Sequence, residues 1–174
     1  MIQVSEGPDR TEVDPALVSR AQRGDALAME TLLDLLTPFV ARLCGPIALQ
    51  DSADAAQEAL IVVFRNLRAL REPAALHGWV RTIAVREAVR VAQRSARTRP
   101  AELADLPAPG SAELAADIQD VLDRLSPEHR AILVLREIEG LDERTAGELL
   151  HISPGTAKSR LSRAKSTFRK AWTS

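Results

Sequence analysis

The chain has 174 residues, room for one domain or two small ones, and its 23 Lys+Arg stand against 24 Asp+Glu, so net charge names no partner. Aromatics are 3% (Phe39, Phe64, Trp79, Phe168 and Trp172), Tyr is absent, and Ala and Leu dominate the apolar 45%, which argues against a sandwich or barrel and for an all-α protein. Cys44 has no partner for a disulfide, His77, His129 and His151 are too scattered to suggest a metal site, and the longest apolar run, Ala59 to Phe64, is far short of the ~20 residues a bilayer crossing needs. A soluble, cytoplasmic chain is expected, with no metal, no cofactor and no membrane insertion, and with Cys44 as a core side chain.

Residues 1–13, with Gly7, Pro8 and many polar groups, show no periodicity and are expected to be flexible. Asp14-Pro15 joins an N-cap to a proline at the first helical position, Gly24 closes that short helix, and Asp25 caps the next. The helical spacing of Leu32, Leu33, Leu36, Phe39, Val40 and Leu43 predicts a long helix, kinked at Pro38 and stopped at Gly45-Pro46. A third helix is expected from Ser52 to Leu70. Ile61-Val62-Val63 is β-branched, but helix-forming residues on both sides decide against a strand.

A break at Arg71-Glu72-Pro73, continuing through His77-Gly78, precedes a fourth helix from Trp79 to Ala96. There Val80, Ile83, Ala84, Ala88 and Val91 face a core, while Arg86, Arg90, Arg94 and Arg97 fall on one stripe. Residues 98–112 contain Pro100, Pro107, Pro109 and Gly110 without apolar periodicity; this is a flexible linker between helical units 14–97 and 113–174. In the second unit Leu114, Ile118, Val121, Leu122 and Leu125 make one helix, Ser126-Pro127 starts another that ends at Gly140, and Asp142 caps a short helix through Leu150. After the turn His151-Ile152-Ser153, Ser153-Pro154 caps a last helix to about Lys170. Short helix, tight turn and longer helix is the helix-turn-helix plan.

Charge is strongly segregated along the chain. Residues 80–100 hold six Arg against Glu87, residues 101–128 hold seven acids against Arg124, and residues 151–174 hold six Lys and Arg with no acid. Two basic patches suit a polyanion touched at two places, or equally two solvated helix faces. Position favours the first at the last helix: Ala157, Leu161, Ala164 and Phe168 take one face, leaving Lys158, Ser159, Ser162, Arg163 and Lys165 on the rest. Lys or Arg donates to guanine and Ser bonds base or phosphate when such a helix enters the major groove. No glycine-rich phosphate loop, paired nucleophile and base, or metal-ligand cluster suggests an enzyme.

At these residues the chain resembles the extracytoplasmic-function (ECF, group IV) sigma factors of bacterial RNA polymerase, within the sigma-70 family. Residues 133–141, Ala146 and residues 152–164 are similar to that family's region 4 nearly position by position. Arg20 to Asp25, Asp54-Ala55-Ala56-Gln57-Glu58 and Trp79 resemble its region 2. The resemblance implies two helical domains, no catalysis of covalent chemistry, and three partners: core RNA polymerase (β′ clamp helices and β flap), promoter DNA and an anti-sigma factor. The free protein is expected to be a monomer.

Residue by residue, the resemblance implies that Asp54, Gln57 and Glu58 dock on core polymerase. Trp79, Arg81, Arg86, Arg90, Arg94 and Arg97 would serve the −10 element and promoter phosphates, with Trp79 either stacking on an unstacked base or packing in the core. Thr156, Lys158, Ser159, Arg160, Ser162, Arg163 and Lys165 would serve the −35 element. The chain departs from many relatives at Arg81, where they carry an aromatic, and in the preceding loop. The alternative is a stand-alone helix-turn-helix regulator of the LuxR-like kind.

Overall fold

The computed structural model of the chain describes residues 12–98 and 113–173, with side chains of the first helix after the gap described from Asp117. Residues 1–11 and 99–112, which hold nearly all of the expected flexible N-terminus and linker, lie outside the described residues. Those described form an all-α structure without strands: α1 (Pro15–Gln22), α2 (Ala26–Ala48), α3 (Ser52–Asn66), α4 (Leu76–Thr98), α5 (Glu113–Asp123), α6 (Pro127–Leu133), α7 (Glu143–Leu150) and α8 (Pro154–Trp172).

Local chemistry sets most of the helix starts. Asp14 Oδ1 accepts the Ala16 N–H at 2.8 Å, Asp25 Oδ1 that of Ala28 at 3.0 Å, and Ser126 Oγ that of His129 at 3.3 Å. Gly24 (φ 93°) and Gly140 (φ 67°) supply the left-handed turns that part α1 from α2 and end the segment after α6.

Helices α2, α3 and α4 pack as a three-helix core with α1 alongside α2. Leu32, Leu36, Val40, Leu43, Ile47, Val63, Val80, Ala84 and Val91 are fully buried in it, and Cys44 is buried with its Sγ 3.6 Å from the Ala84 carbonyl. The stretch 26–69 is long and apolar enough to cross a membrane on length and composition, but half of its most apolar 18-residue window is buried inside this bundle. Burial and the nearby Glu87 carboxylate push the Cys44 thiol up to about 12, so it is not a nucleophile.

Three sequence expectations need correction. Helix α2 does not stop at Gly45-Pro46 but passes through Pro38 and Pro46 to Ala48. A proline inside a helix costs ~3 kcal/mol, and here Ile47 and Ala48, both buried beyond it, offset that cost. The chain turns instead at Leu49, held at φ 54° by its own burial. Next, α3 ends at Asn66, and Leu67–Ala69 tighten into a 3-10 turn. Lastly, α4 begins at Leu76, so the break is shorter than expected: buried Leu76 and the His77 ring, edge-on to Phe39 at 5.3 Å, anchor a first turn that absorbs the ~1 kcal/mol penalty of Gly78.

In the second unit α6 runs into a π turn, Val134–Ile138, where the Glu139 N–H reaches the Val134 carbonyl at 2.9 Å. Ile132 and Leu135 are fully buried there, and α6 and α7 each pack on α8. This group leans on the first: α6 against α2 and α4, and α7 against α4. Arg130, 7% exposed, donates to the Leu122 and Leu125 carbonyls at 3.1 and 2.7 Å and across the seam to Ile47 O at 2.8 Å.

Candidate nucleic-acid interface

The helix-turn-helix is built by α7 and α8. Asp142 Oδ1 caps α7 at the Thr145 N–H (2.7 Å), and His151 takes the left-handed conformation (φ 55°, ψ 41°) that ends it. The Ile152 N–H then returns to Gly147 O at 2.9 Å. A Cβ at Gly147 would lie 2.7 Å from the Ile152 carbonyl oxygen, so this position admits hydrogen alone. Ser153 Oγ accepts the Thr156 N–H at 3.1 Å and starts α8.

On α8, Ala157, Leu161 and Ala164 are buried, as the spacing predicts, and Phe168 is half-buried, stacked on Trp172 at 6.2 Å. The opposite faces expose Thr156, Lys158, Ser159, Ser162, Arg163 and Lys165, with Arg160 half-buried beside α6. Two of the hydroxyls are engaged locally, Thr156 Oγ1 with Ser153 at 2.8 Å and Ser159 Oγ with Thr156 O at 3.1 Å. Lys165 pairs with Glu137 at 2.8 Å. Lys158, Ser162 and Arg163 remain exposed on this face.

In the first unit the arginine stripe divides. Arg90 bonds Glu87 and Glu58, and Arg94 bonds Asp54 at 3.0 Å and Glu58 at 3.1 Å; Arg97 is exposed. The bonds from Arg90 and then Arg94 pull the Glu58 carboxyl below its ordinary value, and Glu87 and Glu58 raise Arg90 in turn. Residues for which the family resemblance implies two different partners, polymerase and DNA, thus form one solvent-facing ionic cluster, with Gln57 exposed on the same helix. Arg86 donates to Leu149 O of α7 at 2.9 Å.

At the head of α4 an open cleft of about 700 Å³ is lined by Leu70, Arg71, Glu72, His77, Trp79 and Arg81 among others. Trp79 is half-buried: it packs against the core and is also among the residues that line the cleft. Arg81 differs from the arginines of that stripe: it is 7% exposed and its Nε donates to Glu139 Oε2 at 2.9 Å. Sequence reasoning missed Glu139, Arg42, Arg130 and Gly147. Only Gly147 left a local trace, as a glycine in the helix ahead of the turn.

A helical protein whose second unit presents a cationic recognition helix, and whose first carries an arginine-rich helix beside an aromatic-lined cleft, has the make-up of a DNA-binding protein. Residues 115–168 match the family described as sigma-70, region 4. The RNA polymerase sigma-H factor of Pseudomonas aeruginosa is 30% identical over 187 residues, covering 92% of this chain and 94% of that one. The ECF RNA polymerase sigma-E factor of Haemophilus influenzae is 28% identical over 179 residues, covering 87% and 91%. The chain belongs to the sigma-70 family of RNA polymerase sigma factors, in its ECF class.

Two solved structures share the fold. CnrH in complex with the cytosolic domain of CnrY superposes with a TM-score of 0.62 at 19% identity, covering 91% of this chain and 96% of that one. The sigma factor RpoE in complex with the anti-sigma factor NepR from Bartonella quintana gives 0.61 at 22%, covering 83% and 96%. A relative that aligns over both units overturns the LuxR-like alternative, in which only the C-terminal unit would be shared.

Proposed function

We propose that this sigma factor binds core polymerase and reads two promoter elements through two helical domains, 14–97 and 113–174, joined by residues 98–112. The observation that carries the reading is the exposed cationic face of α8 behind a tightly built turn, in a chain that also bears the arginine helix and cleft. Asp54, Gln57 and Glu58 dock on the β′ clamp helices, and the C-terminal unit meets the β flap. Trp79 and the cleft hold an unstacked −10 base, while Arg86, Arg90, Arg94 and Arg97 follow phosphates. On α8, Lys158, Ser159, Ser162 and Arg163 read the −35 element in the major groove, with Thr156, Arg160 and Lys165 at its border.

The protein acts in the cytoplasm as a monomer when free, catalyses no covalent chemistry and takes no cofactor. An anti-sigma factor holds it in reserve, a reading supported by the complex of RpoE with NepR.

The decisive experiment needs no promoter sequence. Purified chain is titrated with sigma-free core polymerase beside a Gln57→Ala, Glu58→Lys double variant. Tight binding that the variant weakens at least about tenfold, and that a principal sigma factor competes away, is the expected result. Absence of binding by a folded, inhibitor-free monomer would overturn it.

A further inference from the structure

Glu139 stands between two arginines of the other unit. Its Oε2 accepts from Arg81 Nε at 2.9 Å and its Oε1 from Arg42 Nη1 at 2.8 Å. The Arg81 and Glu139 side chains are 8% and 6% exposed, a desolvated pair, whereas Arg90 and Arg94 pair with their carboxylates in solvent. The bonds Arg86 Nε to Leu149 O and Arg130 Nε to Ile47 O cross the same seam.

Charges held this way favour two states and little between them. Paired within the seam, or apart and fully hydrated, carboxylate and guanidinium are both compensated; a loosened seam that still excludes water leaves each without a counter-charge. Arg81 also lines the cleft beside Trp79. While Glu139 holds it, that cleft lacks one of its cations.

We propose that the chain by itself rests in a self-closed state keyed by Glu139 on Arg81 and Arg42, and that Arg81 becomes available to nucleic acid only when the C-terminal unit swings away. The closed state stands on the geometry alone; that core polymerase opens it rests on the functional reading above. Arg81 is on this view the residue that lets the molecule cover its own cleft.

Spin labels at Arg68→Cys and Arg144→Cys, both exposed and one in each unit, report the separation in the full chain, with buried Cys44 left unlabelled. The parent should give a narrow, short distance distribution. Glu139→Gln keeps the shape but removes the charge, and should lower the closed fraction about tenfold or more while far-UV circular dichroism stays unchanged. Adding Arg81→Met to that variant removes the uncompensated cation and should restore closure. A parent already broad and long, a Glu139→Gln protein that keeps the parent's distances, or a double variant as open as the single one each overturns the proposal. Sigma-free core polymerase should move the parent's labels apart. Binding without that movement counts against the key, whereas no binding counts against the sigma-factor reading and leaves the distances in solution to judge the key.

Discussion

His129 sits half-buried on α6 beside the cationic side of α8. Burial first, then the Arg160 guanidinium, with a smaller push from Arg163 and against the pull of Glu128, holds its imidazole below the ordinary 6.5. The folded chain thus keeps His129 neutral where the unfolded chain has already taken a proton. Stability from this group is complete above about pH 6.5 and falls as the pH drops from there to the lower folded value. His129→Gln should flatten that part of the acid limb, seen as a smaller difference in urea midpoint between about pH 7.5 and about pH 5.5. The lowered carboxyls of Asp25 and Asp142, held chiefly by the Ala28 and Thr145 N–H groups, act in a separate window, losing their contribution as the pH falls below their ordinary 3.8. In the core, Leu36→Ala removes a fully buried side chain and should cost ~2–5 kcal/mol by denaturant titration. At this scale the sequence is legible where a side chain acts on its own neighbourhood, as the caps Asp14, Asp25, Ser126, Asp142 and Ser153 do. It is silent on the bonds that Arg81 and Arg130 make across the seam, to residues 58 and 83 positions away.

Among the elements, the helix-turn-helix depends on one missing methyl group. Gly147→Ala puts a carbon 2.7 Å from a backbone oxygen that cannot rotate aside, and should cost ~1–3 kcal/mol and disturb the angle at which α8 leaves the turn. The measurements are thermal unfolding and −35 DNA affinity, both lowered together. Ser153→Ala, which removes only the cap of α8, should cost ~1 kcal/mol, with DNA affinity affected less. Element boundaries were legible where Gly, Asp and Ser chemistry is local. They were misplaced at Pro46 and Gly78, because long-range burial of Ile47, Ala48 and Leu76 overrides local penalties of a few kcal/mol. The π turn at Val134–Ile138 left no mark in the apolar spacing, since the buried positions on either side of it still read as one helix.

For the whole molecule, the functional reading makes affinity depend on phosphate charge. DNA binding by the reconstituted polymerase should weaken linearly in log–log with salt, and Lys165→Ala should reduce the slope by about 0.9 if it contacts one phosphate. An unchanged slope with lowered affinity would move Lys165 from phosphate to a structural part through Glu137. Two reading helices joined by a short linker also make promoter activity fall steeply when the spacing between the two elements is altered by a few base pairs. The all-α class was legible from composition, and the two-unit plan from the proline-bearing, aperiodic stretch 98–112 in the sequence. The seam between the units was not, because no periodic signal marks a face that meets another part of the same chain through single ionic and carbonyl contacts.

The π turn sets the phase of all that follows it. A residue more than an α-helical turn requires is accommodated between Val134 and Ile138, and Glu139 comes immediately after. Deleting one residue there would restore an ordinary i to i+4 ladder and turn every later position by about 100° around the helix axis. Glu139 would then point away from Arg81, and α7 and α8 would be carried around with it. The length of this segment is thus a setting that couples how the molecule folds on itself to where its recognition helix aims.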